Sequence, residues 1–145
     1  MKRRRGDESQ PERLRNRKAG RVLLCISDEP SVLAMRRILL EAFGYRVLTA
    51  DGGKAVEILT RGPVDAAILD YQAPDSNGEL VAIQLKMVRP TTPLLMVTDD
   101  AATIPESIKN LLSAVVGRQG QPTALLRKIV ALLDPPQSRS ANQVA

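Results

Sequence analysis

Residues 64–70 read Val-Asp-Ala-Ala-Ile-Leu-Asp, a mostly apolar run that ends at the carboxylate of Asp70. Turn-forming residues follow it, among them Pro74, Asn77 and Gly78. A short apolar run bounded by turn residues is typical of a strand that is buried on both faces. The last residue of such a strand lies at the carboxyl edge of a sheet, where open α/β folds bind ligands. We therefore predict that Asp70 belongs to a functional site.

The overall composition predicts a single soluble globular domain. Hydrophobic residues make up 43% of the 145 positions and charged residues 26%, as in ordinary folded domains. No apolar stretch approaches the roughly 18 to 20 residues of a membrane span, and no signal-peptide segment follows the basic N-terminus. We therefore expect a cytoplasmic protein with no membrane contact. The chain has no histidine, which excludes imidazole bases and the commonest zinc ligand.

Two polar tails enclose the predicted domain. Residues 1–21 carry nine basic and three acidic side chains and almost no apolar ones, so we expect residues 1–20 to be a disordered basic tail. Without aromatic side chains this tail can hold nucleic acid only non-specifically, through phosphates, and a merely solvated tail is the alternative. Residues 134–145 include Pro135 and Pro136 and are expected to be flexible. The domain is therefore predicted over residues 21–133.

Between these tails, short apolar runs alternate with amphipathic segments. We predict five strands, at residues 22–27, 45–49, 64–69, 94–98 and 114–117. We predict five helices, at about residues 30–43, 54–61, 78–89, 101–112 and 123–133. This alternation predicts an α/β fold, a doubly wound five-stranded parallel sheet flanked by five helices. In the flavodoxin-like form of that fold the strand order is 2-1-3-4-5.

Local signals support these helices and suggest their packing faces. Pro30 suits the first turn of the first helix and Gly44 suits its end. Pro105 lies inside the fourth helix, which must therefore start late or break there. The apolar side chains at helical spacing are Val32, Met35, Leu39 and Phe43 in the first helix, Ala55 and Leu59 in the second, Leu80, Ile83 and Met87 in the third, and Leu125, Leu126, Ile129 and Leu133 in the last.

Polar side chains follow four of the predicted strands. They are Ser27, Asp28 and Glu29, then Asp70, then Thr98 and Asp99, and finally Arg118. Because strands one and three are neighbours in the predicted order, Asp28 and Asp70 should face each other across one crevice. Two nearby carboxylates repel unless a cation or a proton intervenes, and an oxygen-lined pocket without histidine suits Mg²⁺. A hydroxyl and a guanidinium beside them would suit a phosphoryl group.

These residues resemble the receiver domain of two-component response regulators. The segment Ser27-Asp28-Glu29-Pro30 is similar to the family's acidic pair with the Glu-Pro that follows it. Asp70, with Pro74 and Gly78 behind it, is similar to the phosphoacceptor strand and its loop, and Thr98 matches the switch hydroxyl. The resemblance covers about residues 21–133.

The resemblance implies a phosphoryl site with a metal ion. Asp70 would be the nucleophile that takes a phosphoryl group and forms an acyl phosphate. Mg²⁺ would be held by Asp28, Asp70 and the backbone carbonyl of Gln72, with Ser27 orienting a ligand water.

The other residues and the partners also follow from the resemblance. Thr98 would contact the phosphoryl oxygens, and Arg118 would stand where the family has a lysine. The phosphoryl donor would be a sensor histidine kinase or a phosphotransfer protein, and the signal would pass to an unknown downstream protein. The sequence leaves the oligomeric state open, a homodimer included.

Departures from the family pattern leave a second hypothesis open. Ser27 stands where most receivers have the first of two acids, Arg118 replaces the lysine, and Asp99 replaces a small residue after the switch threonine. The first hypothesis is a single-domain response regulator that is phosphorylated on Asp70 and signals by a change of its surface. The second is a pseudo-receiver, which acts as a protein-interaction module without phosphorylation.

Each site residue also has a simpler interpretation. Asp70 could be a solvated acid at a strand end, Asp28 a helix cap, and Thr98 an ordinary β-branched strand residue. Arg118 could form a surface ion pair. Cys25, the only cysteine, lies in an apolar run and is predicted to be a buried, inert thiol. The sequence has no Gly-x-Gly-x-x-Gly after a strand and no phosphate-binding loop of the Gly-Lys-Ser type, so we do not expect a stand-alone enzyme.

Overall fold

The computed structural model describes residues 20–71, 76–120 and 122–134. The predicted N-terminal tail lies outside the described residues except for its last residue, Gly20. Of the predicted C-terminal tail, only Asp134 is described, and it accepts a hydrogen bond from Arg21 Nη2 at 3.1 Å. Gln72 and Pro74 also lie outside the described residues.

Five strands form one parallel sheet in the predicted order. They are β1 (Val22–Ile26), β2 (Arg46–Ala50), β3 (Ala66–Tyr71), β4 (Leu94–Thr98) and β5 (Ala114–Gly117). The sheet order β2-β1-β3-β4-β5 confirms the flavodoxin-like prediction. Strand β3 begins and ends two residues later than predicted, because Asp70 and Tyr71 pair with Val97 and Thr98 of β4. Asp70 is therefore the last but one residue of its strand.

Five helices connect and flank the strands. They are α1 (Pro30–Ala42), α2 (Gly52–Arg61), α3 (Ser76–Val88), α4 (Glu106–Lys109) and α5 (Thr123–Leu133). Pro105 breaks the predicted fourth helix into a 3₁₀ turn at Ala101–Thr103 and the short α4, which is one of the two outcomes that a proline there allows. Gly44 ends the α1 region with a φ of 97°, a left-handed conformation that favours glycine.

The core is divided between the two faces of the sheet. Alternate residues of β1 serve opposite sides, as the pleat of a strand requires: Leu23 and Cys25 face one cluster, and Leu24 and Ile26 face the other. The first cluster is closed by α1 and α5, and the second by α2, α3 and α4. Both faces of the central strands are covered, and this explains their nearly continuous apolar sequence.

The packing faces of two helices differ from the prediction. In α1 the buried residue is Leu40, with Leu33 packed partly against the core, whereas Met35 is 69% exposed. In α3 the buried side chains are Val81, Ala82 and Leu85, while Leu80, Ile83 and Met87 are 51%, 40% and 74% exposed. Each of these helices carries apolar residues on more than one side, so helical spacing alone does not decide which side meets the sheet. The predicted faces of α2 and α5 are confirmed.

Cys25 is buried in the core, as predicted. Burial raises the pKa of its thiol from 9.0 to about 12. Because the thiolate is the reactive form, we expect negligible modification by iodoacetamide at pH 8 in the native protein. Full modification should follow once denaturant is added, with intact mass as the measurement. Rapid labelling of the folded protein would contradict the buried assignment.

Candidate functional site

The carboxyl ends of four strands meet at one edge of the sheet. Ser27 follows β1, Asp70 lies near the end of β3, Thr98 ends β4 and Arg118 follows β5. Parallel strands place such residues side by side at the crevice where the strand order reverses. The predicted candidates therefore share one region of the fold.

Arg118 contacts Asp70 directly. Its Nη1 donates to Asp70 Oδ2 at 2.9 Å, and its Nη2 donates to the backbone carbonyl of Tyr71 at 3.1 Å. The backbone N–H of Arg118 donates to the Thr98 carbonyl at 2.8 Å. This hydrogen bond to the end of β4 fixes the backbone position of Arg118. The sequence left open whether Arg118 reaches the site, and the structure places it on the carboxylate.

A second carboxylate holds the other side of the Arg118 guanidinium. Arg118 Nε donates to Asp99 Oδ1 at 3.1 Å, and the Asp99 side chain is 52% exposed. Partial burial acts to lower the pKa of Arg118, but the hydrogen bonds and negative charges of Asp70 and Asp99 outweigh burial and raise that pKa. Arg118 is therefore a permanent positive charge at this site.

The site contains a second arginine that sequence reasoning missed. Arg36 of α1 places Nη1 2.5 Å from Asp70 Oδ1, and the two side chains are only 12% and 10% exposed. Neither of these two atoms has a hydrogen-bond partner among the described residues, so the contact is an ion pair that is out of line for a hydrogen bond. Asp70 is thus bracketed by two guanidiniums, one on each oxygen.

The position of Arg36 follows from the packing of α1. Leu33 and Leu40 lie three residues before and four residues after it, on the side of the helix that meets the core. The sequence does contain a signal for Arg36, namely an arginine between two apolar residues at helical spacing. This signal can be used only when the side of α1 that packs on the sheet is known. The arginine reaches the strand ends because the helix begins right after β1.

At the end of β1, Ser27 contacts Asp70, whereas Asp28 is exposed to solvent. The Ser27 hydroxyl is buried; it donates to Asp70 Oδ2 at 3.3 Å and accepts from the Glu29 N–H at 3.1 Å. Asp28 is exposed. The N-cap residue of α1 is Glu29, without a side-chain cap hydrogen bond, so the structure does not support the reading of Asp28 as a helix cap.

Thr98 is almost fully buried at the end of β4, with 2% exposure. Its backbone pairs with Tyr71, the residue after Asp70. Its hydroxyl accepts from the Asp100 N–H at 3.4 Å. The hydroxyl therefore lies one strand from Asp70, as the resemblance requires, and its role toward a phosphoryl group remains a prediction.

The described residues do not fit the magnesium site that the resemblance implies. Mg²⁺ needs carboxylate or carbonyl oxygens that are free to point at it. Here both oxygens of Asp70 contact guanidiniums, the Tyr71 carbonyl accepts from Arg118, and the Ser27 hydroxyl donates to Asp70. Within residues 20–71, 76–120 and 122–134, no group of three or more acidic or cysteine side chains is placed to hold a metal ion.

The doubly wound sheet and its strand-end carboxylate define a receiver-like α/β domain. Residues 23–129 match the model of the response regulator receiver domain, and the chain therefore belongs to that family. A curated relative is the transcriptional regulatory protein TcrA of Mycobacterium tuberculosis, which is 37% identical over 89 residues. Those residues cover 61% of this chain and 35% of TcrA, so the chain matches about a third of that relative's length.

Solved structures agree on the fold. A CheY-like receiver domain from Methylobacillus flagellatus has a TM-score of 0.68 at 19% identity and covers 79% of this chain and 98% of that chain. The response regulator TrrA of Thermotoga maritima, solved with the histidine kinase ThkA, has a TM-score of 0.70 at 23% identity over 79% of this chain and 99% of that chain. In the part of the chain that the structure describes, every helix is too short or too polar to cross a membrane.

Proposed function

We propose that this receiver domain acts as a pseudo-receiver, a protein-interaction module that works without phosphorylation of Asp70. The observation that carries the proposal is the state of that carboxylate. Its Oδ1 lies against Arg36, and its Oδ2 accepts from both Arg118 and Ser27. A carboxylate held on both oxygens at 10% exposure is a poor nucleophile for an incoming phosphoryl group.

The metal chemistry supports the same proposal. Receiver domains generally bind Mg²⁺ at the phosphorylation site, where the ion would offset the negative charge of the carboxylate and the phosphate. In this chain Ser27 stands in place of an acid, and the remaining acid of the pair, Asp28, is exposed. The acidic pair that would hold the ion therefore has one carboxylate where most receivers have two.

Exposed apolar side chains offer a surface for protein contacts. Met35 and Ile38 lie three residues apart on α1 and are 69% and 71% exposed, whereas Met87, 74% exposed, belongs to α3 on the opposite face of the sheet. Apolar side chains grouped on a helix surface are candidates for binding another protein. We propose that the partners are proteins of a two-component pathway, in the cytoplasm, with a histidine kinase or phosphotransfer protein as one candidate class and a downstream protein as another.

The second candidate function is phosphorylation of Asp70 by a histidine kinase. It is favoured by the placement of Asp70 and Thr98 on adjacent strands and by the solved complex of the similar regulator TrrA with a kinase. In that case Asp70 would attack the phosphorus of a phosphohistidine, the P–N bond would break, and the imidazole would take up a proton. Arg118 would then have to release Asp70 and hold phosphoryl oxygens instead.

Acetyl phosphate distinguishes the two functions. We expect the intact mass of the protein to stay unchanged after incubation with acetyl phosphate and millimolar Mg²⁺, because neither oxygen of Asp70 is free to attack. The Asp70→Asn variant is the control. A gain of one phosphoryl mass in the parent protein that is absent from Asp70→Asn would refute the pseudo-receiver and establish the second candidate.

A further inference from the structure

We propose that the guanidinium of Arg36 takes the place of the divalent cation at this site, so that the site is complete without a metal ion. Its positive charge sits 2.5 Å from Asp70 Oδ1, with both side chains at least 88% buried. This goes beyond the proposed function, since it holds whether or not Asp70 accepts a phosphoryl group.

The balance of charges at the site supports the proposal that a guanidinium replaces the metal ion. Arg36 and Arg118 contribute two positive charges, and their partners Asp70 and Asp99 contribute two negative charges. A divalent ion that bound Asp70 would lie next to two guanidiniums that already contact the same carboxylate. Positive charges a few ångströms apart repel each other strongly in a partly buried site. These four side chains therefore have no net charge, and Asp28, which is exposed, is the acid left for a metal ion.

The missing acid fits the same arrangement. A divalent ion needs several anionic oxygens around it, whereas a guanidinium is neutralised by one carboxylate. Ser27 supplies a neutral hydroxyl that donates to Asp70 Oδ2 and accepts from the Glu29 N–H. An acid at position 27 would have no proton to donate to Asp70. Serine there and arginine at position 36 are therefore complementary.

The protein holds this cation in place through the packing of α1. Leu33 and Leu40 pack on the core on either side of Arg36 along the helix. Arg36 and Arg118 also line one cavity of about 340 Å³, with apolar walls from Val32, Leu39 and Leu125. Among the residues that line the cavity, Glu29 is the one acid, and the apolar walls favour a buried charge that stays with its partner. The cation is thus covalently part of the chain and independent of metal concentration.

A paramagnetic titration tests the proposal. Millimolar Mn²⁺ added to ¹⁵N-labelled protein should cause no selective loss of amide signals around Asp70. The double variant Ser27→Asp/Arg36→Met, which restores the acid and removes the guanidinium, should lose those signals and bind Mg²⁺ about tenfold or more tightly than the parent. The matched control is Ser27→Asp/Arg37→Met, because Arg37 is the neighbouring arginine and its side chain is 46% exposed and pairs with Glu41.

Each outcome decides the matter. Selective broadening around Asp70 in the parent protein would overturn the proposal without any variant, and this arm also serves if the double variant does not fold. Equal Mg²⁺ affinity of the double variant and the Arg37 control would overturn it as well. The titration contains no phosphoryl donor, so its result is separate from that of the acetyl phosphate experiment. An adduct on Asp70 that forms in EDTA would refute the pseudo-receiver and leave the role of Arg36 intact.

Discussion

Replacing Asp70 with asparagine is expected to lower the free energy of unfolding by about 2–3 kcal/mol. The change keeps the shape of the side chain but leaves the Arg36 guanidinium, in a side chain that is 12% exposed, without an anion. Breaking a buried ion pair from one side costs about 3–5 kcal/mol, because the remaining charge stays desolvated. We expect the lower value since the Arg118 side chain is 22% exposed and keeps Asp99 as a partner. Urea unfolding followed by circular dichroism measures the difference, as the chain has no tryptophan.

The sign of this effect is diagnostic. In a site where several acids surround an absent metal ion, removing one negative charge relieves repulsion and stabilises the fold. A stabilised Asp70→Asn variant would therefore contradict the arrangement of two arginines on one carboxylate. Asp99→Asn is the matched control: its side chain is 52% exposed, so we expect a loss below about 1 kcal/mol.

A double-mutant cycle assigns the loss to Arg36. The variant Asp70→Asn/Arg36→Met removes both charges, so the penalty of an unpaired buried guanidinium disappears. We expect the two changes together to cost less than the sum of the single changes, by about 1–2 kcal/mol. Additive single effects would indicate that the ion pair makes no energetic contribution.

Leu40→Ala is expected to lower the free energy of unfolding by about 2–5 kcal/mol, the usual cost of removing a fully buried leucine side chain. Leu40 is 0% exposed in the cluster closed by α1 and α5. The loss is large beside the total stability of a domain of this size, which is typically about 5–15 kcal/mol. The same urea unfolding experiment measures it.

Met35→Ala is the control on the same helix. Met35 belongs to the apolar spacing that the sequence suggested for the packing face, yet it is 69% exposed. We expect a change within about 0.5 kcal/mol. A large loss at Met35 together with a small one at Leu40 would mean that α1 is turned differently, in which case Arg36 would not face Asp70.

Much of the fold could be predicted because its signals are local. The run of residues 64–70 indicated a buried strand by its composition, and Pro30 and Gly44 marked the ends of the first helix. The parallel, doubly wound sheet followed from the alternation of strands and helices, and its strand order was taken from the flavodoxin-like form of that fold. The exact end of β3 did not follow, because the pairing of Tyr71 with Thr98 is a contact between distant parts of the chain.

Of the site residues, only those at the ends of strands could be predicted from the sequence. Asp70, Ser27, Thr98 and Arg118 could be placed together because parallel strands bring their carboxyl ends to one edge. The contacts of Arg118 with Asp70 and Asp99 could not, since a long side chain has many rotamers and the sequence does not state which one is chosen.

The amino-acid sequence alone determines the order of strands and helices and puts a carboxylate at the crevice of the sheet, because short-range patterns of apolar residues and turns specify both. The partner of that carboxylate is decided by tertiary structure. Helix α1 has apolar residues on several sides, and only its packing on the sheet buries Leu40, partly buries Leu33 and turns Arg36 toward Asp70. The balance of a buried charge depends on what the fold brings within a few ångströms, and this is the information that a linear sequence does not contain.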